Sequence, residues 1–188
     1  VLLATRNAHK LAELRRILSA SLADAGPDGV AGPQEAGIAI LGLDDVPPFA
    51  EAPETGATFE DNAFIKAREA CRRTGLPVVA DDSGIAVDAL NGMPGVLSAR
   101  WAGSNGGVLG EGVRSDEANL QLLLEQIADV PDERRGAQFV CAAVLVLPDG
   151  REWSVRGVMP GRVLRAKHGG NGFGYDPIFV ADGEDRTN

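Results

Sequence analysis

Two adjacent carboxylates, Asp81 and Asp82, followed by Ser83 and Gly84, are the residues of this chain best suited to chemistry. They come directly after Val78-Val79-Ala80, an apolar and partly β-branched run that predicts the end of a buried strand. In α/β sheets, ligands gather at the carboxyl ends of strands. Side chains alternate along an extended strand, so the two aspartates have different jobs and at least one faces a ligand. Carboxylates in this position suit Mg²⁺, because a hard cation prefers oxygen. The competing reading is a polar turn, with an aspartate capping the next element.

Three further clusters carry comparable chemistry. Thr5-Arg6-Asn7-Ala8-His9-Lys10, with Glu13 one turn on, stands between a predicted strand and a predicted helix. Free N–H groups and a partial positive charge at a helix start attract phosphate. Thr5 and Asn7 add side-chain donors and Lys10 a full charge; the alternative is a capped surface helix with a solvated lysine. Glu54-Thr55-Gly56 lies in an irregular loop, where functional groups concentrate. Behind it, Asn62 and Lys66 share a helix face that can offer an amide and an ammonium to phosphate, or simply be exposed. The last cluster, Gly169-Gly170-Asn171-Gly172-Phe173-Gly174-Tyr175-Asp176-Pro177, lets backbone approach a ligand closely. Phe173 and Tyr175 can stack on a base, and Asp176 can accept hydrogen bonds from it. The spacing matches neither the dinucleotide-binding glycine fingerprint nor a Walker A loop.

The elements that must position these groups alternate. Residues 1–4 predict a short buried strand. Asn7 caps a helix over about 8–22, with Leu11, Leu14, Leu18 and Leu22 on one face. Residues 24–37 read as a Gly/Pro-rich loop, 38–43 as a second strand, and the prolines of 44–56 exclude regular structure there. A helix runs over about 58–73, opened by a Thr58/Asp61 capping box. Residues 84–90 continue as a short strand or turn. Residues 91–95 are a loop, and 103–112 a glycine-rich insert. A helix starting at Asp116 carries Leu120, Leu123, Leu124 and Ile127 as a stripe. Residues 139–147 form an apolar run expected of a strand covered on both faces. After the turn at 148–150, Trp153, Val155 and Gly157 alternate with polar residues, which predicts a half-exposed hairpin strand. The fold class is α/β with a mixed sheet.

Composition narrows the partners. The 188 residues carry a net charge of −9, and the isoelectric point is near 4.7. Such a chain does not coat a nucleic acid polymer, which needs a basic surface. A small phosphorylated ligand needs only a local basic pocket. Hydrophobic content of 44% and charged content of 24% suit an ordinary globular domain. Cys71 and Cys141 sit among apolar residues and read as two buried thiols. With no apolar span and no signal peptide visible, no membrane partner is expected and the expected location is cytoplasmic.

Taken in order, Thr5-x-Asn7-x-x-Lys10-x-x-Glu13, Glu54-Thr55-Gly56-x-Thr58-Phe59-x-x-Asn62-Ala63-x-x-Lys66-Ala67, Ala80-Asp81-Asp82-Ser83-Gly84, Pro94-Gly95-x-x-Ser98-Ala99-Arg100 and Gly172-Phe173-Gly174-Tyr175-Asp176-Pro177 resemble the inosine triphosphate pyrophosphatase family, also called XTP/dITP diphosphatases. The resemblance covers essentially the whole chain. It implies Mg²⁺-dependent hydrolysis of ITP, dITP and XTP to the monophosphate and pyrophosphate, which cleanses the nucleotide pool. It also implies one elongated, two-lobed α/β domain over 1–188, with a long mixed central sheet flanked by helices, a deep cleft, and a homodimer. Carried over by motif, Thr5, Arg6, Asn7, Ala8, His9 and Lys10 bind the triphosphate. Glu54 and Asp82 hold the metal, and Asp82 is also the proton acceptor. Lys66 contacts phosphate as a second catalytic group, and Ser83 contacts substrate. Phe173, Gly174, Tyr175 and Asp176 form the base pocket.

One departure stands out: family members continue with a helical segment bearing a lysine and a Ser-His-Arg motif, whereas this chain ends at Asn188. The expectation is that a C-terminal segment is missing. Two rivals are a pyrophosphatase for pyrimidine triphosphates and a non-enzymatic purine triphosphate sensor; the carboxylates at Glu54 and Asp82 argue against the sensor.

Overall fold

The computed structural model describes residues 1–5, 10–12, 14–17, 39–50, 52–103, 115–169 and 172–187. Five strands form one sheet in sequence order: β1 (Leu2–Leu3), β2 (Val78–Val87), β3 (Gly136–Val146), β4 (Glu152–Val163) and β5 (Phe179–Ala181). β1 runs parallel to β2, with Leu2 opposite Val78. β4 runs antiparallel to β5, with Arg162 opposite Val180. The sheet is therefore mixed, as the alternation of elements predicts. Two compact units divide the chain: Val1–Asp81 with Ala143–Val155, and Asp82–Ala142 with Arg156–Asn188.

The first unit is built on helix α1 (Phe59–Thr74). Its start is dictated locally. Thr58 Oγ1 accepts the Asp61 N–H at 3.1 Å, and the Asp61 carboxylate accepts the Thr58 N–H at 3.1 Å, the reciprocal capping box expected from the sequence. It stops at Gly75, whose left-handed backbone (φ +68°) closes the last turn. Ala63, Ala67, Ala70 and Cys71 cover Leu2, Ala4, Val78, Ala80, Val144 and Val146. Small side chains on that face let the helix lie close to the strands. Burial pushes the Cys71 thiol up, so it stays protonated inside this core.

The second unit is built on helix α2 (Asp116–Gln126), capped by Ser115, whose Oγ accepts the Ala118 N–H at 3.1 Å. Leu120, Leu123 and Ile127 pack with Ile85, Val87, Val163, Ile178 and Phe179. Beyond the end of α2 lies a buried cation. The Arg135 guanidinium donates to the carbonyls of Ile127 at 2.5 Å, Val163 at 3.0 Å and Leu164 at 2.9 Å. Burial pushes its pKa down. The carbonyls compensate the charge, and a cation at a helix C-terminus is favoured by the helix dipole.

Five expectations change. The Asp81-Asp82 pair lies in the middle of a ten-residue strand, not at its end. Ladder pairing on the far side of the carboxylates carries β2 on to Val87, whose partner residues no local pattern reveals. The strand expected over 38–43 reduces, among described residues, to a single parallel bridge from Leu41 to Leu2. The Gly42 N–H instead donates to the Asp45 carboxylate at 2.8 Å and turns the chain into a 3-10 turn at Leu43–Asp45. β3 buries alternate residues rather than both faces, and Cys141 is exposed, so only Cys71 is a buried thiol. β4 is exposed along most of its length rather than half-covered. The remainder of the helix over 8–22, the loop over 24–37 and the insert's residues 104–112 lie outside the described residues; residues 10–12 and 14–17 are helical.

Candidate active site

In the first unit, the structure joins each predicted phosphate-binding lysine to a carboxylate. The Lys10 ammonium donates to Asp81 Oδ2 at 2.5 Å. The Lys66 ammonium donates to Glu54 Oε1 at 3.3 Å. Asp81 is 6% exposed and the Lys10 side chain 24%, so this pair is poorly screened by water. The two aspartates thus do separate work: Asp81 holds a cation within the first unit, while Asp82 opens the second. Thr5 follows β1 directly. Arg6, Asn7, Ala8 and His9 lie outside the described residues.

The loop bearing Glu54 is fixed by a residue that the sequence presents in a different role. Asn62 is fully buried, and its Oδ1 accepts the Gly56 N–H at 2.8 Å. Any side chain at Gly56 would meet the Asn62 backbone nitrogen at 2.9 Å. The Asn62 carbonyl therefore clamps the Glu54-Thr55-Gly56 loop onto the start of α1, where phosphate contact had been one of its two readings. α1 then places Lys66, one turn further on, beside Glu54. The helical spacing shows that Asn62 and Lys66 share a face; it does not show that one of them is spent on the loop.

In the second unit, β2 presents Asp82, 9% exposed, and Ser83. The loop through residues 172–176 is closed by its own side chains. Asp176 Oδ2 accepts the Phe173 N–H at 2.9 Å. Gly172 has φ +76°, and a Cβ there would strike the Asp176 carboxylate, so both its backbone and its lack of a side chain are required. The Gly174 N–H donates to the Asp116 carboxylate at 3.2 Å, a partner the sequence marks only as a helix start. The two aromatic side chains part company. Phe173 is 44% exposed, whereas Tyr175 is 6% exposed and packed within the second core. Of the two rings, Phe173 is therefore the one that solvent reaches. The Tyr175 hydroxyl donates to the Ser98 carbonyl at 2.9 Å, and burial, with the nearby Asp116 carboxylate, pushes its pKa far up.

A metal would find hard oxygen donors at Glu54 and Asp82. Among the described residues, no three His, Cys, Asp or Glu side chains form a preassembled cage. Glu54 belongs to the first unit and Asp82 to the second, and each carries the hard oxygen donors that Mg²⁺ prefers.

The chain matches the Ham1 family over residues 1–188 and belongs to that family. It is 61% identical over 187 residues to a dITP/XTP pyrophosphatase of Nocardia farcinica, covering 100% of this chain and 81% of the relative. It is 54% identical, with the same coverage, to one from Mycobacterium tuberculosis H37Rv. A crystal structure of the Mycobacterium abscessus nucleoside-triphosphatase (dITP/XTP pyrophosphatase) superposes with a TM-score of 0.74 at 53% identity, over 99% of this chain and 85% of that one. The Staphylococcus aureus Ham1 protein superposes with a TM-score of 0.78 at 34% identity, over 99% and 83%.

Proposed function

We propose that this protein hydrolyses the purine nucleoside triphosphates ITP, dITP and XTP to the monophosphate and pyrophosphate, with Mg²⁺, and so cleanses the nucleotide pool. The observation that carries the reading is the 61% identity, over the full length of this chain, to a relative named dITP/XTP pyrophosphatase. The five motifs that led to the same family support it independently.

Each group then has a role. Glu54 and Asp82 would hold Mg²⁺, which when bound would neutralise phosphate charge. Asp82 orients the attacking water and takes its proton as the water oxygen bonds to the α-phosphorus. The bond from the α-phosphorus to the bridging oxygen breaks, and pyrophosphate leaves with the electron pair. Lys66, and Thr5 to Lys10, hold the phosphates and stabilise the charge gathering on the leaving group. Substrate binding draws Lys10 and Lys66 toward phosphate, and Asp81 and Glu54 keep those ammonium groups aimed beforehand. Ser83 contacts substrate, and Phe173, Gly174, Tyr175 and Asp176 form the base site, with Phe173 as its stacking face. Donors aimed at a 6-oxo group lose their partner against a 6-amino group, at about 1–3 kcal/mol each, which disfavours ATP.

Pyrophosphate release from ITP, dITP, XTP, dTTP and ATP, with and without Mg²⁺, tests the reading. Release confined to the first three and dependent on the metal is expected; preference for dTTP or ATP, or no release at all, overturns it. The enzyme works as a homodimer in the cytoplasm. Uncovered apolar residues on β4, among them Trp153, Val155 and Val158, support the dimer.

A further inference from the structure

The Pro94-Gly95-x-x-Ser98-Ala99-Arg100 segment has no task in the chemistry above, yet its geometry ties two parts of the second unit together. Pro94 to Arg100 leads into a 3-10 turn, Gly95–Arg100, in which Ser98 is buried. Ser98 Oγ accepts the Ile85 N–H at 3.0 Å and donates to the Gly95 carbonyl at 2.6 Å. A Cβ at Gly84 would collide with that hydroxyl, so the glycine after Asp82-Ser83 is what admits Ser98 to the strand. The same residue's carbonyl accepts the Tyr175 hydroxyl. The 172–176 loop has two other holds, the Asp176 carboxylate on Phe173 and the Asp116 carboxylate on Gly174. Of these three, the Tyr175–Ser98 bond is the one that leads back to β2.

We propose that Ser98 and the Tyr175 hydroxyl form a positioning strut, which sets the Phe173–Asp176 loop at a fixed distance from the Asp82-Ser83 stretch of β2 and thereby governs how well the purine base is held. The strut touches neither phosphate nor the attacking water. Its loss weakens binding and base discrimination while leaving the chemical step largely intact. A buried hydroxyl between two loops costs little to keep rigid, because both of its neighbours are already packed in the core.

This inference rests on the pyrophosphatase reading, and the two fail in different ways. Steady-state pyrophosphate release from dITP is measured for wild type, Tyr175→Phe, Ser98→Ala and the double variant, with melting temperatures alongside. Tyr175→Phe keeps the ring and removes the hydroxyl. It is expected to raise KM about five- to tenfold, to lower kcat by much less than it raises KM, and to narrow the preference for dITP over dATP. Ser98→Ala raises KM in the same way and also lowers the melting temperature, since the Ile85 N–H loses its partner. The double variant raises KM no further than the larger single effect, because both changes break one strut. An unchanged KM in Tyr175→Phe, a fall in kcat alone, or additive KM effects overturn the strut while the reading stands. A wild type that releases no pyrophosphate from any of the purine triphosphates overturns the reading and the strut with it.

Discussion

Asp81 and Asp82 differ by one position and by everything around them. Asp81 is paired with Lys10, and in the proposed mechanism Asp82 takes the proton of the attacking water. Asp82→Asn keeps the size of the side chain but can neither take a proton nor hold a cation well. It is expected to cut kcat by at least about 100-fold while circular dichroism and the melting temperature stay near wild type. Turnover near wild type in a folded Asp82→Asn protein removes Asp82 from its role. Asp81→Asn tells a different story. It loosens Lys10 rather than the water, so KM rises more than kcat falls, and the melting temperature drops because a well-shielded ammonium loses its counter-charge. A fall in kcat with KM unchanged would instead assign Asp81 to the chemical step. Lys66 stands between these cases. If Lys66 holds phosphate as proposed, Lys66→Met removes a contact that strengthens as the leaving group gains charge, and a loss of about tenfold or more in kcat/KM is expected.

At the scale of elements, the legible parts of the fold were those written in neighbouring residues. The Thr58/Asp61 box and the leucine stripe of the helix starting at Asp116 both rest on contacts within a few positions, and both stand where the local pattern puts them. What could not be read depends on partners far along the chain. The continuation of β2 past Asp82 needs pairing that no local pattern encodes, and the Tyr175 hydroxyl finds its acceptor 77 residues away. The clamp by Asn62 was hidden for another reason. A buried amide and an exposed one look the same on a helical wheel, and only the backbone of residues 54–56 decides which this is. The clamp predicts that Asn62→Ala frees the Glu54 loop and leaves the Gly56 N–H without this acceptor. A stability loss of about 1–3 kcal/mol in urea denaturation is expected, together with a higher Mg²⁺ concentration for half-maximal activity. If stability and metal dependence are both unchanged, Asn62 does not hold that loop.

At the scale of the molecule, the buried phenol sets an alkaline limit. The pKa of Tyr175 is raised in the folded state, so the folded chain keeps this proton more tightly than the unfolded one. Its contribution is fully present below the unfolded value of about 10 and is lost as pH rises beyond it. The melting temperature of wild type should therefore fall more steeply between about pH 10 and 11.5 than that of Tyr175→Phe. Parallel curves would mean that the phenol ionises without cost. The uncovered strand makes a second prediction. Val155, 70% exposed, is a large apolar group in water, and Val155→Glu is expected to shift a dimer to monomer in sedimentation velocity. A protein that is already monomeric, or a variant that stays dimeric, rejects β4 as the contact.

Strands β2, β3 and β4 each contribute residues to both compact units, so the polypeptide passes from one to the other three times. Cut after Asp81, the leading fragment keeps Leu2, Ala63 and Val78 but lacks Val144 and Val146, which close its interior. Neither unit is therefore an uninterrupted stretch of sequence that a ribosome finishes early. The leading core must wait for translation to reach β3 before it can seal, and loss of residues 143–155 would open it as surely as a cut within residues 1–81.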